Sequence, residues 1–201
     1  MRPSFALLTC LFITLSGCAD DSVSETVPPV KSAAETAVST PPESAASSST
    51  VETVSGERTD IDGLGFKVPA GWSKVPLSPF QTGIISAKFA MPDVGPDVTL
   101  TLSRSGGSID DNLDRWRGQV EASRSEISET VSVAGVESRW IDLEGRFSAG
   151  FGRPPEDGWR MIGVIVPLSD QGYFLKLTGP VDQVAGVEEA FREFLKSAAR
   201  S

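Results

Sequence analysis

The sequence predicts an α+β fold, in which helices pack against a mainly antiparallel β-sheet. Short apolar stretches separated by turn residues recur along residues 61–178, as is typical of strands joined by hairpins. Two further segments carry apolar residues at helical spacing, one between two sets of strands and one at the end of the chain. A long polar stretch precedes all of them, so the globular domain is predicted to span residues 58–201.

The first half of the domain is predicted to contain strands at residues 64–69, 84–90 and 98–102. A helix should follow them. Ser108 is suited to cap its first turn, and Asp110 and Asp111 suit the positive end of the helix dipole. The apolar residues at helical spacing, which predict its buried stripe, are Ile109, Leu113, Trp116 and Val120.

The second half is predicted to contain two hairpins and a closing helix. Residues 127–133 and 136–147 should pair across the turn Ala134-Gly135, and residues 159–168 should pair with residues 173–178. Because residues 161–167 are apolar on both faces, they predict a central strand that is covered on both sides. From Pro180 to the end, apolar residues at helical spacing predict an amphipathic helix.

Charge and composition exclude several classes of function. The formal net charge is −9, so the chain lacks the basic surface that nucleic-acid binding requires. Histidine is absent, and both cysteines, Cys10 and Cys18, lie before the domain. The usual general base and the commonest metal ligand are therefore missing. The sequence predicts no enzyme, no cofactor and no metal site.

The first residues resemble the signal of a bacterial lipoprotein. Arg2 and an apolar run lead into Leu15-Ser16-Gly17-Cys18, which resembles the lipobox of that family. The resemblance implies a signal peptide at residues 1–17, cleavage after Gly17 and acyl chains on Cys18 that enter the lipid bilayer. An ordinary secretory signal, which would release a free protein, is the alternative.

Residues 18–57 are predicted to be the lipidated cysteine followed by a disordered tether. The segment consists mainly of Ser, Thr, Ala, Glu, Val and Pro and has no aromatic residue, so it has little apolar surface to bury. Ala19 follows the cysteine where many lipoproteins of the inner membrane carry Asp. By that resemblance the predicted location is the cell envelope, with the outer membrane favoured and the domain in the periplasm or at the surface.

Two stretches of the domain carry short motifs of a known family. They are Phe66-Lys67-Val68-Pro69-Ala70-Gly71-Trp72 and Gly172-Tyr173-Phe174-Leu175-Lys176-Leu177-Thr178-Gly179-Pro180, the second followed by a long helix. Together they resemble the Mog1/PsbP family. The resemblance implies an α/β/α sandwich around an antiparallel sheet. It also implies a tendency to bind protein partners, although a fold does not by itself establish a function.

Residues 147–159 form the candidate partner-binding segment, because they are long for a hairpin connection. Phe151, Arg153 and Trp159 are the candidate contacts, since aromatic residues and Arg in exposed loops are typical anchors of interfaces. The alternative is that Phe151 and Trp159 fold back onto the core. Three other tryptophans lie within periodic apolar patterns and are predicted to be core: Trp72, Trp116 and Trp140.

Three hypotheses about function follow. The leading one is a non-enzymatic envelope lipoprotein that binds another envelope protein or assists an assembly. The second is a small-molecule-binding domain with an apolar pocket between sheet and helix. The third is a histidine-free hydrolase, which would need a Ser–Lys pair or paired carboxylates.

Overall fold

The computed structural model describes residues 52–53, 56, 58–150, 152–169 and 171–201. The predicted signal peptide, Gly17 and Cys18 lie outside this range, as do Phe151 and most of the predicted tether. No helix in the described part of the chain is long and apolar enough to cross a membrane. In chain order its elements are β1 (Glu52–Thr53), β2 (Arg58–Ile61), β3 (Leu64–Lys67), β4 (Ser73–Lys74), β5 (Ala87–Met91), β6 (Gly95–Ser105), α1 (Ile109–Arg117), β7 (Val120–Ala122), β8 (Ile127–Val133), β9 (Val136–Phe147), β10 (Glu156–Pro167), β11 (Gly172–Pro180), α2 (Val181–Lys196) and β12 (Ala199–Arg200).

The strands form one large sheet and one small sheet. The large sheet has the order β1-β4-β5-β6-β11-β10-β9-β7, and β8 pairs with the same edge of β9. The small sheet has the order β12-β3-β2. Neighbouring strands run antiparallel in both sheets, as the short hairpin connections predict.

Strand β10 is the centre of the fold. Ile162, Val164 and Val166 belong to the core under α2, whereas Met161 and Ile165 belong to the core under α1. Because successive side chains of a strand point to opposite faces, one apolar strand supports both helical layers. The predicted α+β fold, with helices packed on an antiparallel sheet, is confirmed, and so is the central strand.

Local sequence signals account for the first helix and for one hairpin. The Ser108 hydroxyl accepts a hydrogen bond from the backbone N–H of Asp111 at 3.0 Å, which caps α1. Between β8 and β9, Ala134 and Gly135 have φ angles of 52° and 77°, as the two central residues of a type I′ turn require. Both predictions are confirmed.

Several predicted boundaries are wrong. Residues 84–86 belong to a turn before β5, because the backbone N–H groups of Ile84 and Ile85 both bond to Gln81. Helix α1 ends before Val120, which lies in β7 but still joins the core under α1. Helix α2 ends at Lys196, and the residues after it form β12 against β3 instead of a further helical turn. Strand β1 pairs with β4 ahead of residue 58, and the predicted domain start at that residue stays a prediction.

The face of the large sheet under α2 is fully covered. Helix α2 packs its apolar side on the sheet, and the small sheet lies beside it, where Phe66 stacks on Phe194 with ring centroids 4.5 Å apart. The Tyr173 hydroxyl donates a hydrogen bond to the carbonyl of Ile61 and so ties the two sheets together. The predicted core residues Trp72 and Trp140 both lie in this layer, and that prediction is confirmed.

A network of ion pairs closes the edge of this layer. Asp142 on β9 is 2% exposed, and its two carboxylate oxygens accept hydrogen bonds from Arg124 and Arg160, each with a shortest distance of 2.8 Å. These hydrogen bonds raise the pKa of Arg160 above its ordinary value, with a smaller contribution from Glu188. The buried carboxylate is therefore matched by two cations.

The network continues onto helix α2. Glu188 accepts hydrogen bonds from Arg160 at 2.6 Å and from Arg192 at 3.0 Å, and Arg192 also reaches Glu129 on β8. The Arg192 guanidinium lies 4.0 Å from the ring centroid of Trp140, which is favourable for a cation–π contact. The network therefore joins α2 to three strands, β8, β9 and β10.

Candidate ligand-binding cleft

The face of the large sheet under α1 is only partly covered. Helix α1 has nine residues, and its Trp116 lies against β10 and β11. A Cβ atom at Gly163 would lie 2.2 Å from Cζ3 of Trp116, so this glycine admits the indole ring to the sheet surface. The burial of Trp116 is as predicted. Strands β5, β6 and part of β11 extend beyond the helix.

The exposed half of this face is polar because β5, β6 and β11 alternate. In β6, Val98, Leu100 and Leu102 are buried under α2, so the residues between them point to the other face. The same alternation in β5 and β11 adds basic and hydroxyl side chains. The polar residues on this face are Lys88, Thr99, Thr101, Ser103, Lys176 and Thr178.

A cleft of about 610 Å³ lies over these strands. Helix α1, the turn at residues 83–85 and the β9–β10 hairpin also contribute residues to its lining. This volume is typical of sites that hold small organic ligands. Aromatic rings from the core under α1 form the apolar part of its lining: Trp116, Phe147, Trp159 and Phe174.

The strand register aligns two lysines across the floor of the cleft. Lys88 lies opposite Thr101, and Thr101 lies opposite Lys176. With strands roughly 4.8 Å apart, the two lysine backbones are roughly 10 Å apart. The next residue in this row is Gly163, over which Trp116 packs, so Lys176 lies where the helical layer ends.

Lys176 is a half-buried cation without a carboxylate partner in the described residues. Its ammonium donates a hydrogen bond to Oε1 of Gln119 at 3.2 Å and lies 6.0 Å from the ring centroid of Phe147. Burial lowers the pKa of Lys176 below its ordinary value, and the positive charge of Arg115 lowers it further.

The charge of the cleft is opposite to that of the chain. Its lining carries five basic residues and two acidic ones, in a chain of formal net charge −9. One acidic residue, Glu156, is already paired with Arg153 at 3.2 Å. The side chains of Lys88, Arg104 and Arg115 form no hydrogen bond or ion pair within the described residues. The cleft is therefore a local cationic site.

Two further polar features belong to the cleft. The hydroxyls of Thr99 and Thr178 lie 3.4 Å apart across neighbouring strands. The amide Nδ2 of Asn112 donates to the carbonyl of Ser108 at 2.8 Å, but its Oδ1 is buried and has no hydrogen-bond partner among the described residues. A buried acceptor without a hydrogen-bond partner lowers the stability of the fold, so packing alone does not account for an amide at this position.

The predicted partner-binding residues differ in their exposure and in their position relative to the cleft. Arg153 is exposed and lies at one end of it. Trp159 is only 8% exposed, because its ring stacks on Phe147 with centroids 5.4 Å apart. Trp159 thus packs on the core, which was the alternative for this residue, and its contact with a partner stays a prediction. Phe151 remains a prediction outside the described residues.

Large aromatic side chains lie between sheet and helix in both described layers, where the apolar pocket was predicted. Trp116 fills the space under α1 against Gly163 and Phe174, and Phe191 fills the space under α2 against Trp140. The cleft beside α1 was not predicted, because strand alternation indicates which residues share a face but not how far a helix covers that face. The contrast between Val98-Thr99-Leu100-Thr101-Leu102-Ser103 and the wholly apolar stretch of β10 was the available signal.

Comparison with known proteins gives structural likenesses but no sequence match. No protein-family model and no curated protein matches the chain. The chain is similar to the solution structure of cyanobacterial PsbP (CyanoP) from Synechocystis sp. PCC 6803, with 16% sequence identity and a TM-score of 0.46. The alignment covers 76% of this chain and 96% of that chain.

Proposed function

We propose that the chain is a non-enzymatic binding module of the bacterial cell envelope, which takes a small polar ligand into the cleft beside α1. The cleft carries this proposal, because Lys88, Arg115 and Lys176 in its lining have no carboxylate partner among the described residues. Catalysis has little support there. The Lys176 ammonium bonds to the Gln119 amide, whereas a Ser–Lys pair would need a bond to a hydroxyl.

A screen of small polar fragments by ligand-observed NMR on the full-length protein tests this function. Ser103→Trp would place a large ring within the cleft lining, and Ser132→Trp would place the same ring on exposed strand β8 as a matched control. Fragments should bind wild type and S132W but not S103W. An absence of binding, or equal binding to S103W, would contradict the function.

A protein partner is the second candidate, and the turn beside the cleft favours it. Phe80 is 91% exposed and Ile84 is 67% exposed, and Ile84 also lines the cleft. Large apolar side chains exposed close together are typical of interaction sites. A photo-crosslinking residue at position 80 should then trap one discrete partner in cells, whereas position 182 on α2 should not. A blank at both positions would remove this candidate.

The proposed anchor is the acyl chains on Cys18, which would hold the domain at the envelope membrane. Support comes from the lipobox-like Leu15-Ser16-Gly17-Cys18 and from the polar segment after it. Labelling with an alkyne analogue of palmitate should mark the wild type and Cys10→Ser, but not Cys18→Ser. Equal labelling of both variants, or no labelling of wild type, would count against a lipid on Cys18.

A further inference from the structure

We propose that the ligand of the cleft is a hydroxyl-bearing organic anion, whose carboxylate or phosphate binds between Lys176 and Arg115. The inference rests on the proposed function, because it assigns a ligand class to the same cleft. Four observations carry it: the charge balance of the lining, the hydrogen bonds that Lys176 leaves unused, the polar strand face and the size of the cleft.

The charge balance points to an anion. In the network under α2, carboxylates match the cations, as Asp142 does for Arg124 and Arg160. In the cleft, Lys88, Arg115 and Lys176 form no ion pair within the described part of the chain. The chain as a whole is acidic, so the positive charge of these three residues is a local feature of the cleft and not a property of the whole chain. A bound oxyanion would supply the missing partner.

Lys176 is the group best placed to hold that oxyanion. An ammonium has three donors, and the structure assigns one of them to Gln119. Lys176 lies at the edge of the helical layer, where Trp116 and Phe147 exclude water on one side. Charge-assisted hydrogen bonds are strong in such partly dry surroundings. Burial already lowers the pKa of this lysine, so binding an anion should raise it again.

Other charged groups face Lys176 across the cleft, and they determine the net field there. Arg115 comes from α1, Lys88 from β5 and Asp97 from β6. Arg153 and Glu156 come from the β9–β10 hairpin and are paired with each other. The cations outnumber the anions among these groups, so the field favours a negative ligand.

The rest of the cleft suits hydroxyl groups. Thr99, Thr101, Ser103 and Thr178 line the strand face, and each hydroxyl can both donate and accept a hydrogen bond. The volume of about 610 Å³ admits a molecule much larger than an isolated inorganic ion. Charge at one end and hydroxyls along the floor therefore predict an organic molecule that carries both.

Three matched sugars test the inference: glucuronate, glucose 6-phosphate and neutral glucose. Their binding is measured by calorimetry and by the fluorescence of the cleft tryptophans, with the full-length protein in detergent. At least one anion should bind about tenfold more tightly than glucose, and K176M should lose about tenfold or more of that affinity. K196M removes an exposed lysine of α2 and should bind like wild type. Which anion binds distinguishes a carboxylate from a phosphate ligand.

Two results would overturn the inference. One is glucose binding as well as both anions, or none of the three sugars binding. The other is unchanged affinity in K176M, whose folding is checked by its unfolding transition. Fragments that still bind wild type but not S103W would then leave the proposed function standing. Fragments that bind neither protein would remove the function together with the inference.

Discussion

The two faces of the large sheet differ in whether their charged side chains form ion pairs. Under α2, Asp142 and Glu188 are matched by Arg124, Arg160 and Arg192 through hydrogen bonds of 2.6–3.1 Å. Under α1, Lys88, Arg115 and Lys176 have no carboxylate partner among the described residues. The first face is arranged for stability. The second retains unmet interactions, which natural proteins often keep where they bind ligands.

The difference begins with coverage. Helix α2 has sixteen residues and is joined by the small sheet, whereas α1 has nine residues. The face under α2 is therefore sealed by apolar side chains, and only the part of the other face beneath α1 is sealed. Because the strands beyond α1 are not covered by the helix, Thr and Lys side chains on them lose less hydration free energy than they would at a fully buried position. Stability and binding are thereby assigned to opposite sides of the same strands.

The largest expected effect is the loss of the buried carboxylate under α2. Asp142→Ala would leave Arg124 and Arg160 without their shared partner, so the free energy of unfolding should fall by about 3–5 kcal/mol in urea denaturation. Asp157→Ala is the control, because that carboxylate is exposed and lies 3.7 Å from Arg146; it should cost less than about 0.5 kcal/mol. Equal effects would mean that the network is solvated rather than sealed.

A smaller loss is expected where α1 meets the sheet. Gly163→Ala would press a methyl group into Trp116 and should cost about 1–3 kcal/mol of unfolding free energy, with a change in tryptophan fluorescence. Gly186→Ala in α2 has nothing within 4 Å of the new methyl group and should instead stabilise by about 0.5–1 kcal/mol. Similar outcomes for the two glycines would contradict the close packing of Trp116.

The cap of α1 should contribute about 1 kcal/mol. Ser108→Ala removes the acceptor for the N–H of Asp111, and a helix of nine residues has few other interactions to compensate. Unfolding free energy measures the loss, and Ser108→Asp, which retains a capping oxygen, should restore most of it. Helix α2 begins without a side-chain cap bond, so Pro180 offers no equivalent test. An unchanged S108A would indicate that tertiary packing alone holds α1.

The smallest effect at neutral pH should come from Lys176→Met, and its sign is the informative part. Burial lowers the pKa of Lys176 from 10.5, so the folded state loses this proton at lower pH than the unfolded chain. The free energy of unfolding of wild type should therefore increase as pH rises from the lowered pKa of Lys176 towards 10.5. K176M should lack this increase and be more stable below that range, by less than about 1 kcal/mol.

Lys196→Met gives the opposite sign and is the control for this titration. The hydrogen bond from Lys196 to Glu193 raises the pKa of Lys196, so its stabilising contribution is present below 10.5 and is lost as pH rises through the raised value. Unfolding free energies measured from neutral to alkaline pH, as differences from wild type, should slope in opposite directions for the two variants. Parallel slopes would mean that folding raises the pKa of Lys176 instead of lowering it.

Much of the fold was predictable because its signals are local. The cap at Ser108, the turn at Ala134-Gly135 and the doubly apolar stretch of β10 each depend on residues close together in the chain. Boundaries were predicted less well where distant contacts decide them. The residues after Lys196 form a strand instead of a helical turn because they pair with β3. Val120 lies in a strand because β7 pairs with β9.

The candidate site was predicted only in part, for the same physical reason. Arg153 and Trp159 were identified, but the burial of Trp159 depends on its stacking with Phe147. Lys88, Thr101 and Lys176 lie far apart in sequence, and only the register of three strands brings them into one row. Asp142 is likewise an ordinary strand residue until Arg124 and Arg160 approach it.

The amino-acid order alone determines the kinds of element, the strand alternation and the absence of histidine and domain cysteine chemistry. These are properties of composition and of short-range period, which need no long-range contact. Tertiary structure decides which face of the sheet stays open and which cations find carboxylates. Those outcomes depend on strand register and on where a short helix packs, because only pairing across the sheet places distant side chains side by side.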